Sequence, residues 1–394
     1  MNEGRTADLV SRQPEPRNES LTEPSSPVWI EVDLKAIQHN FRQVRRYVAP
    51  HVKVLAVIKA NAYGHGLLPV ARALVEAGAD FLAVASVVEA VALRRAGVTG
   101  KILVFGQLLP EEAPLVVENG LVQSVGDLAS VKALSRAASL QEKQVSIHLE
   151  VDTGMGRYGV WHEEVVSLFR RLVELPGLTP DGIFTHLSSA GQNVQATEEQ
   201  LSRFTQLIQR LERARLPIGL KHVANSVGLI RFPAAHWDLV RTGLLIYGAS
   251  PIKEKEEGHT LDLRPALTMK SRVRFLKTIQ PGQTVSYGGT YRAERPTVVA
   301  TVPVGYAHGY TRALSNKAEL LVRGMRASVI GKITMEDLMC DVTQIPHVQI
   351  GDEVVLIGGQ GKESVTAEEL ALHARTIPYE ILVGLSPSIP RRCL

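Results

Sequence analysis

The sequence predicts a (β/α)8 barrel of the TIM type followed by a mainly β C-terminal domain. Three observations carry this. Short apolar runs alternate with amphipathic segments between residues 53 and 243. The alternation stops at a charged, proline-ended stretch, KEKEEGHTLDLRP, at 253–265. Beyond it, β-rich runs follow one another between turn signals. Eight strand–helix units in about 200 residues point to a closed parallel barrel. An open doubly wound sheet is the alternative, but it normally carries an early glycine-rich phosphate turn, and none appears.

The domains read as a disordered tail over 1–27, a barrel over 28–252 and a β domain over 253–394. The tail is rich in Pro, Glu, Ser and Arg and has no apolar stretch, so it is not a secretory signal. Its acidic residues, Glu3, Asp8, Glu15, Glu19 and Glu23, argue against a mitochondrial presequence. VWIEVDL (28–34) is a strand ahead of the barrel, available to pair with the second domain.

The barrel strands are KVLAVIK (53–59), DFLAVAS (80–86), KILVFG (101–106), LVQSVG (121–126), VSIHLEVD (145–152), DGIFTHL (181–187), LKHVAN (220–225) and HWDLVRTG (236–243). Their length and β-branched content suit strands buried on both faces. Between them, Leu67, Val70, Ala71, Leu74 and Val75 form one helical face that Gly78 ends. Ser86 and Glu89 make a capping box for a helix that Gly97 closes. Thr197 with Gln200 opens another, running to Pro217. In the second domain, SRVRFLKTI, TVVATVPV, ELLVRG, ASVIGKI and DEVVLIGG read as strands of a mainly antiparallel sheet.

Composition narrows the function. Among 394 residues, 45% are hydrophobic and 21% charged, which excludes a mostly disordered chain. The net charge of +4 is thinly spread, so no nucleic-acid partner is expected. Cys340 and Cys393 cannot build a disulfide framework and lack metal-ligand spacing, so a cytoplasmic location and no metal are expected. No apolar run reaches the ~18 residues of a membrane span.

A barrel places its chemistry at the C-terminal ends of its strands. Lys59, Arg157, His186, Asn225, Ser226 and Arg241 fall there, with Thr242 and Gly243 beside a candidate phosphate loop. A lysine desolvated at the end of an apolar strand has a depressed pKa and can form a Schiff base with an aldehyde cofactor. A strand-end lysine reaching solvent is the ordinary alternative.

Longer strings weigh on that choice. AVIKANAYGHG (56–66), EVDTGMGRYG (150–159), FTHLSSA (184–190), HVANS (222–226), VRTGLLIYG (240–248), LRPALTMKSRV (263–273), VSYGGTYRA (285–293) and VPVGYAHGY (302–310) together resemble alanine racemase. The resemblance runs in order from residue 28 to about 392. It implies a barrel that binds pyridoxal 5'-phosphate, a C-terminal β domain, and a homodimer whose active sites draw on both subunits. It also implies a cytoplasmic enzyme supplying D-alanine for peptidoglycan.

By resemblance, Lys59 is the Schiff-base lysine and one catalytic base, and Tyr287 is the second base, from the neighbouring subunit. Tyr63, Ser226, Gly243, Leu244 and Tyr379 match phosphate-binding positions, with Asn225 beside them. Arg157 matches the arginine near the cofactor's phenolic oxygen and the substrate carboxylate. His186 matches a histidine on the cofactor ring. Arg241 matches the arginine facing the pyridine nitrogen, and His222 its support. Tyr306 and Met335 match substrate-side positions from the neighbouring subunit. Racemisation removes a proton from one face and returns it on the other, so it requires two bases.

Three places depart from the family pattern. Glu150 stands where a lysine, often carbamylated, is common; a carboxylate keeps the negative charge and can orient Arg157. His308 replaces a usual aspartate, and KITMED (332–337) differs from the common string at Thr334 and Glu336. A barrel-type decarboxylase is the competing enzyme class, but it would place an acid at the pyridine nitrogen and use a catalytic cysteine. A non-enzymatic cofactor-carrier barrel would lack the C-terminal domain and the Tyr287 motif.

Overall fold

The computed structural model describes residues 26–250 and 261–394. Most of the expected tail and the charged heart of the linker lie outside the described residues.

All eight expected barrel runs form strands. They are β2 (Lys53–Val57), β3 (Phe81–Val84), β4 (Lys101–Val104), β5 (Val122–Val125), β6 (Val145–Asp152), β8 (Leu178–Thr185), β9 (Leu220–His222) and β10 (Leu239–Thr242). Each pairs in parallel with its neighbour, and β10 returns to β2, so the ring closes. A two-residue strand, β7 (Val160–Trp161), runs beside the end of β6 and anchors the loop that carries Arg157.

Helix Leu67–Glu76 buries Val70, Ala71 and Leu74, and Gly78 turns the chain away at φ +89°. Helix Val87–Arg95 is capped by Ser86, which accepts the Glu89 N–H; the Glu89 carboxylate reaches back to the Ala85 N–H, one residue beyond the reciprocal bond of a capping box. The third expected start is corrected. That helix is Val194–Arg213 and Asn193 caps it, accepting from the Ala196 N–H. Thr197 donates to the Asn193 carbonyl, while Gln200 bonds Thr153, Ser188 and the His186 carbonyl. Both side chains are taken up by contacts other than the cap.

Strand β1 (Trp29–Val32) leaves the barrel for the second domain. It pairs antiparallel with β11 (Leu267–Arg272) and parallel with β21 (Arg391–Cys393). The chain crosses back at Asp33, whose side chain caps helix Leu34–Tyr47. SRVRFLKTI is two strands, β11 and β12 (Phe275–Ile279), because the chain breaks at Val273–Arg274 to change partner from β19 (Glu353–Gln360) to β15 (Thr297–Val302). A small hairpin, β13 (Thr284–Val285) with β14 (Tyr291–Arg292), frames the turn holding Tyr287. The main sheet is completed by β16 (Glu319–Val322), β17 (Met325–Val329) and β18 (Leu338–Asp341), with β20 (Glu363–Val365) on β19.

Helix Pro378–Val383, unforeseen in the sequence, brings Tyr379 to the barrel mouth. It packs on the turn Lys59–Tyr63 so tightly that a Cβ on Gly64 would stand 2.3 Å from the Leu382 carbonyl oxygen.

Candidate active site

A cavity of about 670 Å³ opens at the C-terminal ends of the strands. Lys59 enters it directly after β2. The next four residues, Ala60 to Tyr63, all have φ between +52° and +54°, a left-handed turn that non-glycine residues adopt only under strain. The turn is held by Asn61, which accepts from the Leu67 N–H. It sends Lys59 and Tyr63 into one cavity from positions four residues apart. Burial lowers the Lys59 pKa, and the Arg157 cation lowers it further against the opposing charge of Glu89.

Arg241 comes from β10 and spends two of its three nitrogens on the protein. Nη1 lies 3.0 Å from His222 Nδ1; Nη2 donates to the carbonyls of Thr185 (2.8 Å) and Val223 (3.0 Å) and sits 3.4 Å from His186 Nδ1. Nε has no protein partner among the described residues, and the side chain lines the cavity. Burial brings the guanidinium down to about 10, which leaves it charged at neutral pH. His186 is pushed down to about 3 by burial and by Arg241, Arg157 and Lys59, so it is neutral. His222 lies flat on Phe184, ring centroids 4.7 Å apart.

The far end of the cavity is made of neutral donors. Burial pushes both phenols up, Tyr63 strongly and Tyr379 to about 12, so both keep their hydrogens. Ser226 Oγ accepts from the Gly243 N–H at 3.0 Å and keeps its own hydrogen for a ligand. Leu244 follows as the first residue of the tight turn Leu244–Tyr247. Asn225 lines the cavity, but its side chain caps helix Ser226–Arg231 through the Gly228 N–H. This donor set fits pyridoxal 5'-phosphate: hydroxyls and an amide for an anion, an amine of lowered pKa for an aldehyde, and one unspent guanidinium N–H.

Glu150 is buried at the cavity wall, and among the described residues it makes no direct hydrogen bond to Arg157. Its carboxylate accepts from Gln107 Nε2 (3.2 Å) and Ser124 Oγ (3.3 Å). Arg157 sits in an exposed glycine-rich loop and reaches Glu150 through charge instead. Burial raises the Glu150 pKa, against the pull of Arg157 and Arg241. Gln107 and Ser124 were not legible as site residues, since each is a lone polar position near the end of an apolar run.

Tyr287, Tyr306 and Met335 do not line the cavity of their own chain. They are exposed on the second domain, at 69%, 45% and 56%. Hydrogen bonds tie their segments together: Ser286 Oγ donates to the Lys332 carbonyl, the Tyr306 N–H to the Thr334 carbonyl and the Ala307 N–H to the Met335 carbonyl. Two of the departures meet on the same face, with His308 Nε2 3.6 Å from Glu336 Oε2.

A closed parallel barrel with a half-buried lysine at its mouth, followed by a mainly β domain, defines a class of two-domain barrel proteins. Residues 32–251 match the family described as alanine racemase, N-terminal domain, and residues 266–393 match alanine racemase, C-terminal domain. The chain belongs to the alanine racemase family. It is 42% identical to the alanine racemase of Halothermothrix orenii over 93% of this chain and 96% of that one, and 44% identical to that of Symbiobacterium thermophilum over the same shares. Among solved structures, alanine racemase from D-cycloserine-producing Streptomyces lavendulae superposes with a TM-score of 0.88 at 34% identity, covering 93% of this chain and 97% of that one. The Bacillus anthracis alanine racemase with bound L-Ala-P gives 0.86 at 34% identity, covering 93% and 95%.

Proposed function

We propose that the chain interconverts L- and D-alanine by moving the α-proton between two bases, Lys59 of its own barrel and Tyr287 of a second copy. The observation that carries this is Lys59: its amine is desolvated and faces the Arg157 cation in a cavity that also holds Arg241 and the hydroxyls of Tyr63, Tyr379 and Ser226. Bound there, pyridoxal 5'-phosphate supplies the electron sink that makes the α-proton labile. Tyr63, Tyr379, Ser226 and the backbone of Leu244 hold the phosphate end; Gly243, whose N–H orients Ser226, gives Tyr63 room, and Asn225 fixes the helix start beside them. His186, kept neutral, packs beside Arg241 without adding charge.

Lys59 Nζ takes or returns the proton on one face of the substrate, and the Tyr287 hydroxyl serves the other. A phenol acts as a base most readily with a cation beside it, and Arg157, exposed at the cavity's edge, supplies one. Arg157 also takes the substrate carboxylate, with Glu150 balancing charge behind it. Arg241 can only donate, so it offers nothing to accept a pyridinium proton. That restrains the chemistry to one proton transfer and disfavours transamination.

The second copy is required because Tyr287, Tyr306 and Met335 form an exposed face away from their own Lys59. A homodimer that docks this face over a partner's barrel mouth completes two sites at once. Among the described residues no helix is long and apolar enough to cross a membrane. A cytoplasmic enzyme feeding D-alanine to peptidoglycan synthesis is the role this reading gives it. A decarboxylase of similar build fits poorly, since an arginine occupies the place of the acid, Cys340 is buried in the sheet, and Cys393 is paired with Val32 rather than placed on the face that holds Tyr287.

The test is a coupled assay of D-alanine formation from L-alanine, with serine and lysine alongside. Alanine turnover well above the other two supports the reading, and no turnover of alanine overturns it.

A further inference from the structure

Behind Arg241 the barrel core holds two histidines in line. Arg241 Nη1 meets His222 Nδ1 at 3.0 Å, and His222 Nε2 meets His148 Nδ1 at 2.9 Å. All three side chains are buried. Burial keeps both imidazoles neutral: His148 is brought down to about 4, with Lys101 and Arg241 lowering it further and Asp181 opposing, and His222 is held well below its ordinary value.

A neutral imidazole has one N–H and one lone pair, so this line of contacts has a direction. Arginine only donates. His222 Nδ1 must therefore accept, which puts the hydrogen on His222 Nε2. His148 Nδ1 must accept that hydrogen, which leaves His148 with its own on Nε2. That nitrogen is buried and has no partner among the described residues. In the opposite order, two N–H groups would face each other at 3.0 Å with nothing to accept either.

We propose that His148 is a positioning residue for the reaction: by accepting from His222 Nε2 it fixes the tautomer that lets His222 accept from Arg241. The guanidinium is then held with its remaining Nε free toward the cavity. This rests on the reading of Arg241 as the group that meets the cofactor, and carries it one residue deeper.

The fold makes room for the arrangement. His148 in β6 lies in register with Gly182 in β8, at a break in the pairing. A Cβ on residue 182 would stand 2.8 Å from the His148 ring at both Cε1 and Nδ1. Gly182 is not in the left-handed region, so its lack of a side chain serves space alone. Phe81 flanks the ring, and the Lys101–Asp181 pair (2.7 Å) supplies the charges nearest its far side.

The test reads ring nitrogens by NMR in the full-length, cofactor-free chain carrying 15N-labelled histidine, together with kcat for alanine. The wild-type chain should show His222 bare at Nδ1 and protonated at Nε2. His148→Leu removes the acceptor, and Gly182→Ala pushes the ring aside; both should mix the His222 tautomers and lower kcat about tenfold, with KM little changed. His148→Asn offers an amide oxygen near the place of Nδ1 and should restore both readouts. A wild-type His222 protonated at Nδ1 overturns the proposal whatever the activity. So does a His148→Leu or Gly182→Ala chain with wild-type tautomer and kcat, or a His148→Asn chain that behaves like His148→Leu. The tautomer is read without turnover, so the relay is tested even in a chain that fails to racemise alanine.

Discussion

Gly243 and Tyr63 approach so closely that a methyl group on residue 243 would stand 2.5 Å from the tyrosine hydroxyl and 3.0 Å from its ring carbon Cζ. Alanine at 243 would therefore drive its methyl group into the Tyr63 phenol. Tyr63 cannot retreat easily, because its ring is stacked on Tyr247 at 4.8 Å. Gly243→Ala should displace the phenol and weaken cofactor binding about tenfold or more, with the fold intact. Absorbance titration of the cofactor-free chain with pyridoxal 5'-phosphate measures this. An unchanged Kd removes Tyr63 and Gly243 from the phosphate cradle.

Glu150 sets stability against activity. Its pKa is raised by burial, so the folded chain holds a proton there more tightly than the unfolded chain does. The ionised carboxylate therefore destabilises the fold at neutral pH, and the penalty fades as pH falls through the raised folded value toward the ordinary 4.5, below which both states are protonated. Glu150→Gln should be more stable than the parent at pH 7, with the gap closing toward about pH 4.5. Without the charge facing Arg157 and Arg241, kcat/KM should fall by ~1–3 kcal/mol of transition-state stabilisation. A carboxylate also needs no carbon dioxide, so bicarbonate depletion should leave activity unchanged. If kcat/KM is the same in Glu150→Gln, the residue is only part of the wall.

Three histidines enclosed by the fold, and His186 on the cavity wall, predict an acid limb. His65 and His148 are held down to about 4, His186 to about 3, and His222 far below its ordinary range, all mainly by burial. Below about pH 6.5 the unfolded chain takes up protons that the folded chain refuses. Their contribution to stability is complete above about pH 6.5 and is lost as pH falls toward about 4, each by up to ~1.4 kcal/mol per pH unit. Urea unfolding of the cofactor-free chain between pH 7 and 5 should show this slope. A flat profile would contradict imidazoles held neutral in the fold.

Subunit sharing makes a separate prediction. Lys59→Ala and Tyr287→Phe should each be inactive, yet mixing them under subunit exchange should recover part of the activity. Each hybrid dimer holds one site with both defects and one with neither. Full activity in a demonstrated monomer would contradict the shared site.

Much of this architecture was legible because short, mainly apolar runs recurred between amphipathic segments; KVLAV, FLAV and KILV are nearly unbroken, whereas LKH and LVRT stood out only by their place in the alternation. Lys59 stood out as a charge ending such a run. The short strands LMCD and RRC were not legible, since their assignment depends on partners far along the chain. The helix carrying Tyr379 is six residues long and takes its place from packing against Gly64. Gln107, Ser124 and His148 acquire their roles only when barrel closure brings separate strands together. His308 and Glu336 looked like unrelated departures until the fold set them 3.6 Å apart.

The central claim is that two bases work on opposite faces, and α-deuterium exchange in Tyr287→Phe tests it most directly. With pyridoxal 5'-phosphate bound, the variant is incubated in heavy water with L-alanine and D-alanine separately. Lys59 remains, so the enantiomer whose α-proton faces it should exchange without racemising, while the other should stay unlabelled. Equal exchange from both enantiomers, or racemisation at the parent rate, would contradict the assignment of Lys59 and Tyr287.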